Sequence, residues 1–346
     1  MTGPDSSMRT RLASWLSECT GRMIAAHDLR IDRPSGGGWS NETWIVTTGG
    51  QRHQRVVVRL QPDQASMFPT YDLSRQLACL DVLADNPDVP SPRVLGADPE
   101  GTRLGRPAFV MEHVAGRVPR DDSPTFAESG WLAEAEPADQ RRFHTSLLDA
   151  IAAIHEVKTD RLPSLALPAG GSSNTAAVRT LVDLWNWDRG DLWPRPIDDA
   201  LRRLESGLPV PTSEVLLWGD ARPANVVVAD DGFEPVALLD WELATIGSPE
   251  QDLTWLMEMN WMRIEGAGLD PLPGFLPDDV AIAHYENRTG RSLHHLGWYR
   301  YLAAVRVAVL MHRYLRAMVH AGRLPADHKL FGSTVASRRL NDLGIG

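Results

Sequence analysis

Apolar residues recur at helical spacing over residues 8–20 and again in YDLSRQLACLDVLAD (71–85), where Leu73, Leu77, Leu80 and Leu83 share a face. Between these stretches the period changes. A glycine-containing segment, SGGGWSNETWIVTT (35–48), passes into a strand-like run, QRVVVRL (54–60) is a valine-rich second strand, and PAFVMEHV (107–114) is a third. The pattern predicts a small sheet with one helix against it. Beyond Gly116 the spacing is mostly helical: ADQRRFHTSLLDAIAAIHEV (138–157), TAAVRTLVDLWNWD (175–188), IDDALRRLESG (197–207), and a closing series from PDDVAIAHYENRTG (277–290) through MHRYLRAMVH (311–320). The Pro/Gly/Ser stretch LPSLALPAGGSS (162–173) reads as a loop within this half. These elements predict an α+β chain with a boundary near 112–116, dividing a smaller lobe (1–112) from a larger helical one (113–346).

Two short apolar runs break the helical pattern, EVLL (214–217) and VVVA (226–229), and they enclose WGDARPAN (218–225). Pro223 opposes a helix through that loop, so two strand-like pieces hold it and aim Asp220 and Asn225 into one site. Fifteen residues after Asn225, the run VALLDWELATIG brings a further acid, Asp240, to the end of an apolar segment. Magnesium takes oxygen ligands, usually one or two carboxylates with phosphate oxygens and water completing the shell, and Asn225 with Asp240 suits that role. Asp220 is then the group that accepts a proton from an attacking hydroxyl, because phosphoryl transfer asks of a protein mainly positioning and charge neutralisation.

The spaced segments WGDARPAN and LLDWE resemble the aminoglycoside phosphotransferase family, protein-kinase-like enzymes that move the γ-phosphate of ATP to a small-molecule hydroxyl. The likeness runs from about residue 31 to residue 320 and takes in SGGGWSNETW, RVVVRLQPD, PSPRVLG, FVMEHVAGRV, IAAIHEV and ATIGSPEQDLTWLM. The resemblance implies a two-lobed kinase-like fold with an antiparallel sheet in the N-terminal lobe. It also implies ATP and Mg2+ as cofactors, Asp220 as catalytic base, and Asn225 and Asp240 as metal ligands. Arg222 sits inside the loop beside that base, where it would neutralise charge on the transferring phosphoryl group or contact substrate, or else face solvent. Gly36, Gly37 and Gly38, with Ser40 and Asn41, form the nucleotide loop; Arg59 is the phosphate-binding cation; main-chain groups near Glu112, His113 and Val114 hold adenine. Asp252 braces the catalytic loop, and Glu242 reaches the metal region or pairs structurally. Three positions depart from the family pattern: Arg59 replaces lysine, Gln76 stands where a helical glutamate is expected, with Asp72 as a substitute counter-ion, and Trp218 replaces histidine. The branch resembled includes the kinase domains associated with acyl-CoA dehydrogenases.

Composition narrows the partners. The 346-residue chain is 43% apolar, enough for buried cores, and its formal charge of −10 with a pI near 5.6 argues against nucleic acid and anionic membrane. Cys19 and Cys79 offer neither a disulfide framework nor a CxxC site, and no secretion-type leader is visible, so a cytoplasmic location is expected. The paired His294 and His295, and His144 and His155 on one helix, read as core or surface histidines rather than metal ligands. The acceptor is expected in the helical half, where LVDLWNWDRGDLWPRP gathers Trp185, Trp187 and Trp193 with Asp183, Asp188 and Asp191. Expected acceptors are the hydroxyls of an antibiotic, such as an aminoglycoside or a nucleoside antibiotic, or of another metabolite; the alternatives are a hydroxyacyl-CoA kinase and a nucleotide-binding pseudokinase. Oligomeric state is not legible.

Overall fold

The computed structural model describes residues 5–34, 41–49, 53–62, 67–167, 171–191 and 193–344. Helix α1 (Ser6–Thr20) is capped by Asp5, whose side chain accepts from the Met8 amide, and ends at Gly21 in the left-handed region. Strands β1 (Arg30–Asp32), β2 (Glu42–Thr48) and β3 (Gln54–Leu60) precede helix α2 (Leu73–Ala84). Strands β4 (Val94–Asp98) and β5 (Ala108–Glu112) complete an antiparallel sheet in the order β1-β2-β3-β5-β4.

Alternation along the strands divides their side chains between two cores. Val56, Val58 and Leu60 of β3 and Ala108 and Val110 of β5 meet Leu12, Trp15 and Leu16 of α1. Phe109 and Met111 point the other way, into a larger core that also takes Leu73, Leu80 and Leu83 of α2. The sheet therefore has a helix on each face: α2 on one, as the leucine spacing predicted, and α1 on the other. Asp72 is the N-cap of α2, its Oδ1 accepting from the amide and hydroxyl of Ser74.

Helices α3 (Pro137–His155), α4 (Ser173–Trp187) and α5 (Arg195–Ser206) follow, then strands β6 (Val215–Leu217), β7 (Val226–Val228), β8 (Pro235–Leu238) and β9 (Thr245–Gly247). The chain closes with α6 (Glu250–Arg263), α7 (Asp278–Thr289), α8 (Leu296–His320) and α9 (Val335–Leu343). The runs flanking the 218–225 loop do not pair with each other: β6 pairs with β9 and β7 with β8. The loop thus links two separate hairpin-like ribbons, and Leu239 donates its amide to the Asn225 carbonyl at 2.8 Å to bring the end of β8 against it. No helix among the described residues is long and apolar enough to cross a membrane.

The four histidines of the sequence reading sit as ordinary side chains. His294 and His295 are exposed, while His144 and His155 are buried. His144 accepts the Leu276 amide at 2.9 Å.

Two outcomes follow from this packing. Leu16→Ala removes a side chain fully enclosed between α1 and the sheet, and unfolding in urea should show a loss of about 2–5 kcal/mol. Burial holds His144 and His312 neutral, with pKa values lowered to about 4. The unfolded chain then binds more protons below the ordinary histidine value near 6.5, so stability is present above that pH and is lost as pH falls towards 4. The urea midpoint should drop between pH 7.5 and pH 5, above the range where carboxylates titrate; an unchanged midpoint would contradict the burial of both rings.

Candidate active site

Gly219 sets the entry to the catalytic loop. It has a φ of 82°, and a Cβ there would lie 2.1 Å from the Leu243 carbonyl oxygen, so the position takes no side chain. The amides of Trp218 and Gly219 both donate to Asp252, to Oδ2 at 2.7 Å and Oδ1 at 2.9 Å. His155 Nε2 lies 3.3 Å from the same carboxylate and its Nδ1 is 2.7 Å from the Tyr285 hydroxyl. Trp218, in place of the expected histidine, is fully buried, donates Nε1 to the Leu239 carbonyl and packs against Trp241.

From that support Asp220 projects with its carboxylate held on both oxygens. Trp255 Nε1 donates to Oδ1 at 2.9 Å; Arg222 Nε and Asn225 Nδ2 donate to Oδ2 at 2.9 and 2.8 Å. Asn225 Nδ2 also reaches the Asp220 carbonyl, which leaves the amide oxygen of Asn225 as its face for a cation. The loop therefore brings Asp220 and Asn225 together, as the spacing predicted, and Arg222 joins them.

Arg222 is not solvent-facing. It bridges Asp220 and Asp121, and Asp121 is in turn held by Arg263 through Nε and Nη2 at 2.6 and 2.9 Å. Burial alone would lower the Arg222 pKa, but Asp220 and Asp121 carry it above its ordinary value. Burial likewise works against the charge on Asp121, and the two arginines override it and hold its carboxyl below the usual range. Behind the loop, Arg306 donates to the Gly219 carbonyl at 2.6 Å and lies over the Trp255 ring at 4.1 Å; burial lowers its pKa.

Asp240 follows β8 in the left-handed region, φ 62° and ψ 63°, at the head of a tight turn over Trp241–Leu243. Its Oδ1 accepts from Arg59 Nη2 at 2.8 Å, and Glu242 Oε2 lies 3.6 Å from the same nitrogen. Asn41 Nδ2 donates to Glu242 Oε2. Although burial opposes the charge on Arg59, these two acids raise its pKa. Asp72, the expected substitute counter-ion, is occupied in capping α2, and Gln76 is buried with an unpartnered Nε2.

Of the remaining nucleotide positions, Gly36, Gly37, Gly38 and Ser40 lie outside the described residues. Glu112 ends β5 with its amide donated to the Arg93 carbonyl and its side chain paired with Arg93 at 2.9 Å; His113 and Val114 come next. Among the described residues no group of three or more His, Cys, Asp or Glu is arranged to hold a metal, and the oxygen pair of Asn225 and Asp240 suits a hard cation only with phosphate and water completing its shell. Asp121, Arg263, Trp255 and Arg306 were not identified in the sequence as part of the site; Asp121, Trp255 and Arg306 reach the loop across the fold, and Arg263 reaches it through Asp121. In the tryptophan-rich segment several described side chains are engaged within the fold. Trp185 and Trp193 both donate to Asp198, at 2.8 and 2.7 Å, and Asp188 is tied to Arg313 and Arg316.

Solved structures share this architecture. A protein of Ralstonia eutropha described as a candidate aminoglycoside phosphotransferase superposes with a TM-score of 0.69 at 21% identity, covering 96% of this chain and 94% of that one. A thermostable mutant of aminoglycoside phosphotransferase APH(4)-Ia, solved with ADP and hygromycin B, gives 0.56 at 14% identity over 97% and 100% of the two chains. At these identities the likeness establishes the kinase-like α+β fold. Acyl-CoA dehydrogenase family member 10 of Mus musculus is 27% identical over 222 residues, and family member 11 of Gallus gallus 29% identical over 224. Each match covers 63% of this chain but only 19% and 26% of those longer proteins. The phosphotransferase enzyme family model matches residues 32–272, which take in most of the sheet and the 218–225 loop with Asp121, Arg263, Asp252 and Trp255, and the chain belongs to that family.

Proposed function

We propose that the protein transfers the γ-phosphate of ATP to a hydroxyl of a small molecule, with residues 1–112 as the nucleotide lobe and 113–346 as the catalytic and acceptor lobe. The observation that carries this reading is the carboxylate of Asp220, oriented by three donors from Trp255, Arg222 and Asn225. The acceptor hydroxyl gives its proton to Asp220 as its oxygen bonds to the γ-phosphorus; the bond from that phosphorus to the β,γ-bridging oxygen breaks, and ADP leaves. Asn225 and Asp240 would hold magnesium, which supplies charge neutralisation to the phosphates when bound. Arg59 binds a phosphate, and the glycine loop from Gly36 through Gly38 to Ser40 and Asn41 covers the triphosphate. With the Glu112 amide already engaged, His113 and Val114 carry the main-chain contact to adenine. Arg222 lies close enough to the base to meet charge on the transferring group. The absence of a long apolar helix among the described residues is compatible with a cytoplasmic enzyme.

The acceptor reading draws on a cavity of about 380 Å³ that reaches Gly219 and Trp255, next to Asp220 rather than lined by it, with Arg75 and Arg306 also along it. Ala177, Leu181, Leu184 and Ala303 give it apolar walls. The acids along it, Glu242 and Asp252, are committed to Arg59 and Asn41 and to main-chain amides respectively. An aminoglycoside, with several ammonium groups, would find apolar walls and engaged carboxylates. A hydroxyl carried on a largely apolar body, such as a hydroxyacyl group, matches the lining better, and the relatives named as acyl-CoA dehydrogenase family members support that class.

Asp220→Asn keeps the shape of the loop but removes the proton acceptor. Turnover followed by ADP release should fall about 10²–10⁴-fold, while calorimetric nucleotide affinity changes less than about threefold. Equal turnover in mutant and wild type would overturn the assignment; nucleotide binding without transfer in the wild type, across the acceptor panel, would identify a pseudokinase. Ala177→Phe narrows the cavity away from the loop. It should raise the acceptor KM about tenfold or more and leave nucleotide affinity unchanged, by steady-state kinetics with the acceptor that acquires phosphate in mass spectrometry of aminoglycosides, nucleoside antibiotics and hydroxyacyl thioesters.

A further inference from the structure

We infer that Glu242 is the positioning residue that holds Arg59 for phosphate binding, and that it does so in place of an acid on helix α2. This assignment rests on the phosphotransfer reading above. The Arg59 side chain is 11% exposed and has two carboxylates within reach, Asp240 at 2.8 Å and Glu242 at 3.6 Å. Asp240 is also the proposed metal ligand, so one carboxylate is asked to serve a guanidinium and a divalent cation. A buried cation that loses its partner is costly, and the shortage has to be met locally.

Helix α2 does not meet it. Gln76 is neutral, Asp72 is occupied as the N-cap, and Asp81 is exposed near Arg161. Glu242 remains. Its side chain is 15% exposed, it approaches the same Arg59 nitrogen as Asp240, and it accepts from Asn41 just before strand β2. One carboxylate therefore joins the base of the glycine loop, the cation on β3 and the segment bearing the metal ligand.

The two acids are two residues apart on one tight turn, and Trp241 between them is buried, donating Nε1 to the Leu238 carbonyl at 3.0 Å. Cation and metal positions are thus set in register by a three-residue turn whose centre is anchored in the core. Rotation of α2, which carries no acid for Arg59, would leave the pair intact.

The test reads metal affinity directly, by electron paramagnetic resonance titration of Mn2+ with ADP present, in wild type, Glu242→Gln, Arg59→Gln and the double variant. In Glu242→Gln, Arg59 falls back on Asp240 and competes with the metal, so the Mn2+ Kd should rise about tenfold. In the Arg59→Gln background the competitor is gone, and adding Glu242→Gln should change the Kd by less than about twofold. A rise of equal size in both backgrounds would make Glu242 a metal ligand and overturn the assignment; so would an unchanged Kd in the single variant. Where Glu242→Gln does not fold, Glu242→Ala in the same cycle carries the same two outcomes. Wild type that binds neither ADP nor Mn2+ would overturn the phosphotransfer reading itself, whereas binding with uncoupled losses overturns the role of Glu242 alone.

Discussion

The site is organised by one buried carboxylate that takes no direct part in the proposed chemistry. Asp252, 1% exposed at the start of α6, accepts the amides of Trp218 and Gly219, and its position is shared with His155 and Tyr285. Two main-chain donors on one anion fix the peptide planes entering the loop, and charge-assisted bonds of this kind are worth more than neutral ones, especially away from water. Because Gly219 must also pass against the Leu243 carbonyl, the loop and the turn after β8 are fixed relative to each other at a point with no room for a Cβ.

Charge balance around the loop follows from the same geometry. Asp220 and Asp121 alternate with Arg222 and Arg263 along a continuous chain of ion pairs, while Asp240 and Glu242 share Arg59 on the other side. A buried ion pair gains little over apolar packing, but removing one member leaves a charge with nothing to offset it. Such chains hold geometry more than they add stability. The partnership of Arg222 with two acids keeps its guanidinium beside Asp220, while Asp240 and Glu242 together hold Arg59.

Much of this was legible in the sequence, for physical reasons specific to each element. The leucines of α2 report burial on a fixed period, so the helix and its inward face could be placed, and the run of valines marked β3 as a strand. Pro223 and the flanking apolar runs marked a rigid loop, and Asp220, Arg222 and Asn225 lie within five residues, so their meeting required only local geometry. What the pattern did not reveal was pairing. The runs at 215–217 and 226–228 are adjacent in sequence yet bond to different partners, because the loop between them carries the chain from one ribbon to another. Asp121, Arg263, Trp255 and Arg306 were missed since their contacts span 35 to 142 residues and leave no periodic trace.

Asp72 shows how a local signal can be misassigned. Two residues before Ser74 and immediately before an apolar-periodic stretch, an aspartate has the signature of an N-cap, and the structure uses it as one. Assigning it to Arg59 required a long-range ion pair to outcompete a short-range cap whose donors, the Ser74 amide and hydroxyl, are supplied by the helix itself. Arg59 is then left to Asp240 and Glu242, two acids on one turn, and under the proposed chemistry that turn would serve both the metal and the phosphate-binding cation. Gln76 brings no charge to Arg59 from α2, and the two acids that do pair with Arg59 sit on a turn pinned by a buried tryptophan.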